Sequence, residues 1–285
     1  MTNAAIRGIR RSRLRWIVLA ASLASLAGLL LGQVGTGSAG ATTNSGPKPT
    51  IVLVHGAWAD GSSWSRVVAA LQRDGYTVDV PPNTLRGLPD DPAYLADFLG
   101  TITGPIILAG HSYGGAVITN AATGNAQVKA LVYVDAFLPA EGETLGQLAA
   151  AAPGSCIGGD PTQVFNVAPY PGAPAGAVDT YIKQALFPSC FANDLPPNQG
   201  AVLAATQRPF STAALGEPSG PPAWASIPSW AVVGTIDRVI PPAGQLFMAE
   251  RAHARITKVR ASHLSMISHP DVVTGVIEAA AQSVH

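Results

Sequence analysis

The strongest constraint on the fold of this chain is a regular alternation, from residue 50 onward, of short apolar runs and amphipathic stretches. The apolar runs predict β-strands at 51–55, 76–80, 105–109, 128–134, 229–233 and 256–259. The amphipathic stretches predict helices at 62–74, 92–99, 112–123, 242–252 and 272–281. Runs this apolar are typical of strands covered on both faces. The pattern therefore predicts an α/β fold with about six mostly parallel strands and helices on both faces.

The alternation stops after Asp135 and resumes only about ninety residues later, too far for a simple connection in a compact domain. The intervening segment, 136–226, is dense in Pro, Gly and Ala. We expect it to form an inserted cap with short helices, one of them at 178–187. Because 47% of the 285 residues are hydrophobic, the chain can bury one large core. That core is predicted from 42–135 and 227–285.

The first 41 residues have the order of a secretory signal peptide. A stretch with five arginines precedes an apolar run at 16–31, and small residues follow up to Ala41, the predicted cleavage site. We therefore expect a secreted or extracytoplasmic protein with no stable membrane association after cleavage. A retained N-terminal membrane anchor is the alternative, because the apolar run is close to the minimum length for spanning a bilayer.

The charge of the remaining chain argues against nucleic acid as a partner. The whole sequence has 17 basic and 17 acidic residues, but five of the basic ones lie in the predicted signal peptide. Twelve basic residues remain, and the resulting net charge of −5 provides no basic field for phosphates. The sequence also has no Cys/His cluster of the metal-binding kind and no phosphate loop. We expect no cofactor.

The two cysteines, Cys156 and Cys190, lie in the same Pro/Gly/Ala-rich segment. An exported protein folds in an oxidising compartment, which favours a disulfide between them. A loop-rich segment with little core of its own also gains most from a cross-link. Two separately buried thiols are the alternative.

The sequence Gly-His-Ser-Tyr-Gly at 110–114 lies between a predicted strand and a predicted helix. It matches the Gly-x-Ser-x-Gly pattern of a nucleophile elbow, a turn so sharp that only glycine-sized neighbours fit around the serine. Ser112 would project above the sheet over a helix N-terminus, where negative charge is favoured. We predict Ser112 as a nucleophile.

A serine nucleophile needs a base and a carboxylate that orients the base. His263 follows the last predicted strand, at the edge of the sheet where Ser112 is expected. Asp237 follows the preceding strand and gives the chain order Ser, Asp, His. Asp135 also follows a strand end and is the rival for the acid. The predicted triad is Ser112, Asp237 and His263.

The turn after the first strand, at 55–57, is expected to complete an oxyanion hole. Backbone amides suit this task because they are fixed dipoles that need no reorganisation as charge develops. We predict the N–H groups of Ala57 and Tyr113 as the two donors. His55 ends a buried strand before a glycine, which favours a structural role over a catalytic one.

The chain from residue 50 to 285 resembles the small esterase and hydroxynitrile-lyase branch of the α/β-hydrolase superfamily, which includes plant methyl esterases and bacterial carboxylesterases. The resemblance rests on the segments 52–58, 63–64, 110–114, 131–139, 237–241, 262–266 and 268–270. It implies the α/β-hydrolase fold, the same triad, no cofactor, and a cap that shapes the substrate pocket. Cyanohydrin-cleaving members carry a lysine directly after the catalytic histidine, where this chain has Leu264.

These features predict a serine carboxylesterase that hydrolyses a small to medium uncharged ester through an acyl-enzyme. Ligand pockets are mostly apolar, so we expect Trp58 and Phe137 to line this one. A hydroxynitrile lyase or a lactonase on the same triad is one alternative. A receptor-like protein that binds a ligand and hydrolyses it slowly is the other.

Overall fold

The computed structural model describes residues 48–284, so the predicted signal peptide lies outside the described residues. In this part of the chain no helix is long and apolar enough to cross a membrane.

The centre of the molecule is a six-stranded parallel sheet, as predicted. Along the chain its members are β1 (Thr50–Val54), β2 (Val78–Asp79), β3 (Ile106–His111), β4 (Val128–Val134), β8 (Ser229–Gly234) and β9 (Arg255–Val259). Their spatial order is β2-β1-β3-β4-β8-β9, and every neighbouring pair is parallel. The prediction of an α/β fold is confirmed.

The apolar runs form the inner strands because both faces of the sheet are covered. Every residue of β3 and β8 is buried, and in β4 only Lys129 is exposed. β2 is shorter than predicted, since this edge strand pairs only with Ile51 and Val52 of β1.

Helices connect and cover the strands. In the core they are α1 (Ser65–Arg73), α2 (Asp91–Leu99), α3 (Tyr113–Ala121), α9 (Pro242–Arg251), α10 (Ser265–Ser268) and α11 (Pro270–Gln282). A short 3₁₀ helix, Gly61–Trp64, precedes α1, and the Asp60 side chain accepts a hydrogen bond from Ser62 N–H at its start. The five helices predicted for the core are all present.

The segment between β4 and β8 has its own small antiparallel sheet, β5 (Phe165–Ala168), β6 (Asp179–Ile182) and β7 (Phe210–Ser211). Its short helices are α4 (Leu145–Ala151), α5 (Pro161–Val164), α6 (Phe187–Cys190), α7 (Pro197–Ala205), α8 (Ala213–Gly216) and a 3₁₀ helix, Ala223–Ala225.

The predicted helix at 178–187 is wrong. Residues Asp179–Ile182 form β6, which pairs with β5 on one side and β7 on the other. The β-branched and aromatic side chains of this stretch suit a strand, and pairing partners distant in sequence decide the outcome. Helix α6 starts only at Phe187.

The order of the strands creates a crevice. The chain runs from β1 outwards to β2 at the edge and then returns to β3 on the other side of β1. The connections that leave the carboxyl ends of β1 and β3 therefore diverge. In open α/β sheets, ligands bind at this switch point.

A disulfide joins Cys156 to Cys190, with their Cα atoms 5.8 Å apart. The predicted disulfide is therefore confirmed. Cys156 N–H also donates to Arg238 O at 2.7 Å, so the cross-link connects the end of α6 to the loop that follows β8.

We expect the mature protein to contain no free thiol before reduction and two after it, counted with a thiol reagent in denaturant. The bridge spans 34 positions, so its loss should lower the free energy of unfolding by about 3–4 kcal/mol. The measurement is urea unfolding of the Cys156→Ser/Cys190→Ser variant beside the unreduced wild type. Two titratable thiols without reductant would contradict the bridge.

Candidate active site

Ser112 occupies a sharp turn between β3 and α3, with φ of 53° and ψ of −122°. Non-glycine residues rarely adopt a positive φ, and such strain is typical of functional sites. Two glycines permit the turn. A Cβ atom on Gly110 would lie 2.5 Å from Gly114 O, and one on Gly114 would lie 2.6 Å from Val54 O. Both positions therefore exclude any side chain.

The structure brings Ser112, His263 and Asp237 together in one hydrogen-bonded line. His263 Nε2 lies 2.9 Å from Ser112 Oγ, and His263 Nδ1 lies 2.8 Å from Asp237 Oδ2. All three side chains are buried, with residue exposures of 3%, 0% and 4% in that order. The line can move a proton from the hydroxyl to the imidazole, and the carboxylate can stabilise the resulting charge.

The carboxylate of Asp237 is held by more than the imidazole. Its Oδ1 accepts hydrogen bonds from Val239 N–H at 2.7 Å and Ile240 N–H at 3.1 Å. Its Oδ2 also accepts one from Gln245 Nε2 at 2.7 Å. Gln245, a buried residue of α9, gave no signal in the sequence because its role depends on where that helix packs.

The rival acid, Asp135, makes no hydrogen bond with the His263 ring within residues 48–284. Its carboxylate accepts hydrogen bonds from Gly234 N–H and from both the N–H and the hydroxyl of Ser265. Burial, and then the charge of Asp237, raise the pKa of Asp135. Of the two acids considered, the structure brings only Asp237 to the imidazole.

The two predicted oxyanion donors lie on either side of the serine. Tyr113 is the next residue, and Ala57 follows Gly56, at which a Cβ atom would be 2.6 Å from Ser112 Cβ. Within residues 48–284, neither the Ala57 nor the Tyr113 amide N–H donates a hydrogen bond to the protein. Both amides therefore remain available to an oxygen bound beside Ser112.

His55 and His111 are buried close to the triad. His55 Nε2 accepts a hydrogen bond from Asn83 N–H at 3.1 Å, which ties the turn after β1 to a neighbouring loop. His111 Nε2 lies 2.8 Å from His263 O. Burial lowers the pKa of both rings. In the described part of the chain, no group of three His, Cys, Asp or Glu is arranged to hold a metal ion.

A small, mostly apolar cavity of about 30 Å³ lies beside the triad. Its lining residues come from the turn after β1 and the 3₁₀ helix that follows, from α6 and α7 with the residue after each, and from the residues after His263: Ala57, Trp58, Ala59, Asp60, Ser62, Ser63, Phe187, Phe191, Leu203, Thr206, Leu264 and Ile267. Of the two predicted pocket residues, Trp58 lines this cavity. Phe137 is not part of its lining; it is half-buried, and its N–H donates to Ser112 O at 3.2 Å.

The end of α6 and the residues after it cover two loops: the one that carries Asp237 after β8 (the acid loop) and the one that carries His263 after β9 (the base loop). The Phe191 ring packs edge-on against the His263 imidazole, with centroids 4.9 Å apart. Asn193 Nδ2 donates to Ile236 O at 3.1 Å, and Asp194 Oδ2 accepts from Ser262 N–H at 3.0 Å. No sequence pattern indicates these contacts, because they depend on the path of the inserted segment across the site.

Known proteins with similar sequences include a carbendazim-hydrolysing esterase from Nocardioides sp. (strain SG-4G), which is 40% identical over 107 residues. That match covers 33% of this chain and 44% of the esterase, less than half its length. The alpha/beta hydrolase nvfD from Aspergillus novofumigatus is 26% identical over 82% of this chain and 97% of its own.

Among solved structures, a pyrethroid hydrolase from Sphingobium faniae JZ-2 is similar, with a TM-score of 0.66 and 25% identity. The similarity covers 83% of this chain and 98% of that one. The sequence model of the alpha/beta hydrolase family matches residues 51–276, which include the elbow, the acid loop and the base loop. With the six-stranded parallel sheet, these matches show that the chain belongs to the alpha/beta hydrolase family.

Proposed function

We propose that this protein is a serine carboxylesterase with Ser112 as nucleophile, His263 as general base and Asp237 as the acid that orients the base. The observation that carries the proposal is the hydrogen-bonded line from Asp237 through His263 to Ser112 Oγ. It lies beside two main-chain amides that donate to no protein acceptor in the described residues. Relatives named as an esterase and as a pyrethroid hydrolase support ester hydrolysis.

In the first half of the reaction, Ser112 Oγ attacks the ester carbonyl while His263 Nε2 takes the hydroxyl proton. The N–H groups of Ala57 and Tyr113 hold the negative oxygen of the tetrahedral intermediate. Asp237 accepts the hydrogen bond from His263 Nδ1–H and stabilises the imidazolium. The imidazolium then gives its proton to the alkoxide oxygen as the ester C–O bond of the intermediate breaks. The alcohol leaves, and the acyl group stays bound to Ser112 Oγ.

In the second half, water enters beside His263, which takes one of its protons as the water oxygen attacks the acyl carbon. The same amides hold the second tetrahedral intermediate. Collapse of that intermediate returns the proton from His263 to Ser112 Oγ and releases the carboxylic acid. Each cycle consumes one ester and one water and restores the starting protonation.

We propose an uncharged ester of small to medium size as the substrate. Most side chains that line the cavity beside the triad are apolar, and Trp58, Phe187 and Phe191 are aromatic. Such a lining favours an uncharged ligand. Leu264, the residue after His263, is 3% exposed and offers no positive charge to a departing cyanide. Hydrolysis is therefore favoured over cyanohydrin cleavage.

We also propose that residues 136–226 act as a cap and that the mature protein works outside the cytoplasm. Ser112 is 3% exposed and the adjoining cavity is small, which supports a cap that shifts to admit an ester. The disulfide supports an oxidising compartment. Determination of the N-terminal residue of the secreted protein would test cleavage after Ala41.

The first test is Ser112→Ala, assayed on a panel of aryl and alkyl esters. We expect kcat to fall roughly 10⁵- to 10⁶-fold, as loss of a triad nucleophile does elsewhere. Ser229→Ala is the matched control, because Ser229 is a buried serine at the opposite end of the sheet. Hydrolysis within tenfold of wild type in Ser112→Ala would contradict the assignment.

The second test separates the two acids. Asp237→Asn keeps the shape of the side chain but removes the charge and favours the wrong tautomer of His263. We expect kcat to fall roughly 10³- to 10⁴-fold. Steady-state kinetics near neutral pH measure this loss. A decrease of less than tenfold would remove Asp237 from the mechanism.

A further inference from the structure

Asp135 lies at the centre of the three segments that carry the triad. It directly follows β4, between β3, which leads to Ser112, and β8, which leads to Asp237. Its backbone has a φ of 46°, an uncommon conformation for a residue other than glycine. The chain therefore turns sharply at this point, and the side chain is completely buried.

The main chain around Asp135 holds the nucleophile elbow. Ser112 N–H donates to Val134 O at 3.2 Å, and Ser112 O accepts from Phe137 N–H at 3.2 Å. Asp135 N–H itself donates to Val232 O in β8 at 2.9 Å. The residues on both sides of Asp135 thus fix both main-chain polar groups of the nucleophile.

The side chain of Asp135 holds the other two loops together. Its Oδ1 accepts from Gly234 N–H at 2.8 Å, three residues before Asp237. Its Oδ2 accepts from Ser265 N–H at 3.1 Å and Ser265 Oγ at 2.5 Å, two residues after His263. One carboxylate therefore joins the acid loop to the base loop with three hydrogen bonds.

Three donors on one buried carboxylate leave little freedom for either loop. A buried donor that loses its acceptor is costly, so the three bonds resist movement of either loop. Catalytic groups must be held within about 0.5 Å of the productive geometry, and a misplacement of about 1 Å can cost about 100-fold in rate. The Asp237–His263 distance depends on the positions of both loops, and the Asp135 carboxylate is hydrogen-bonded to both.

We propose that Asp135 is a positioning residue that sets the Asp237–His263 geometry by binding Gly234 and Ser265. The proposal rests on the proposed esterase function for its kinetic consequence, but the geometry itself can be measured without any substrate. In the described residues the Asp135 carboxylate is hydrogen-bonded to Gly234 and Ser265 and not to the Ser112 hydroxyl. It acts through the two loops that carry the acid and the base.

Asp135→Asn and Ser265→Ala test the proposal. In Asp135→Asn an NH₂ group replaces one carboxylate oxygen and cannot accept a hydrogen bond from Gly234 or Ser265. Ser265→Ala removes only the bond from the Ser265 hydroxyl and disturbs the fold less. We expect kcat to fall roughly 10- to 100-fold in Asp135→Asn and roughly 3- to 10-fold in Ser265→Ala, with KM changed less than about threefold. Ser229→Ala, another buried serine with a hydrogen-bonded hydroxyl, should leave both constants unchanged.

The second readout is the downfield proton resonance of the His263 Nδ1–H bond to Asp237, assigned by its loss in His263→Ala. It should shift or broaden in Asp135→Asn and in Ser265→Ala, and stay in place in Ser229→Ala. If Ser265→Ala keeps both the wild-type resonance and the wild-type kcat, the proposal is overturned. Ser112→Ala tests ester hydrolysis separately. If the protein proves not to be an esterase, the resonance still tests this proposal, because it reports the His263–Asp237 hydrogen bond without any substrate.

Discussion

The hydrogen bond between His263 and Asp237 is the interaction on which the rest of the site depends. A free imidazole rotates and changes tautomer, so a serine beside it gains little nucleophilicity. Here Nδ1 is bound at 2.8 Å to a carboxylate that two backbone amides and Gln245 also hold. Nε2 is thereby left facing Ser112 Oγ at 2.9 Å. The parallel sheet makes this geometry possible because it brings the carboxyl ends of strands that are distant in sequence to one edge.

The inserted segment also contributes to the site. Its Phe191 ring packs perpendicular to the imidazole, Asn193 binds the loop that carries Asp237, and Asp194 binds the loop that carries His263. The disulfide fixes the end of α6, immediately before these residues. Exclusion of water strengthens the charge interactions within a site, so this cover would favour the imidazolium–carboxylate pair of the proposed reaction.

The sheet and the elbow could be predicted from the sequence because their signals are local. Apolar runs mark buried strands, and the glycines around Ser112 mark the turn. Local signals alone could not settle the choice between Asp135 and Asp237, because both follow strand ends. The hydrogen bond to His263 depends on how the loops after those strands pack. The helix expected at 178–187 failed for a related reason: pairing with distant strands decided its structure. The contacts of Phe191 were unpredictable because nothing local encodes the path of the inserted segment.

We propose above all that the surrounding geometry makes the Ser112 hydroxyl nucleophilic. The most direct test is incubation of the mature protein with a fluorophosphonate, followed by peptide mass spectrometry to map the modified residue. A nucleophilic Ser112 predicts one phosphonyl group per chain, attached to Ser112 alone. Absence of modification in the folded protein, or attachment at another residue, would contradict the claim.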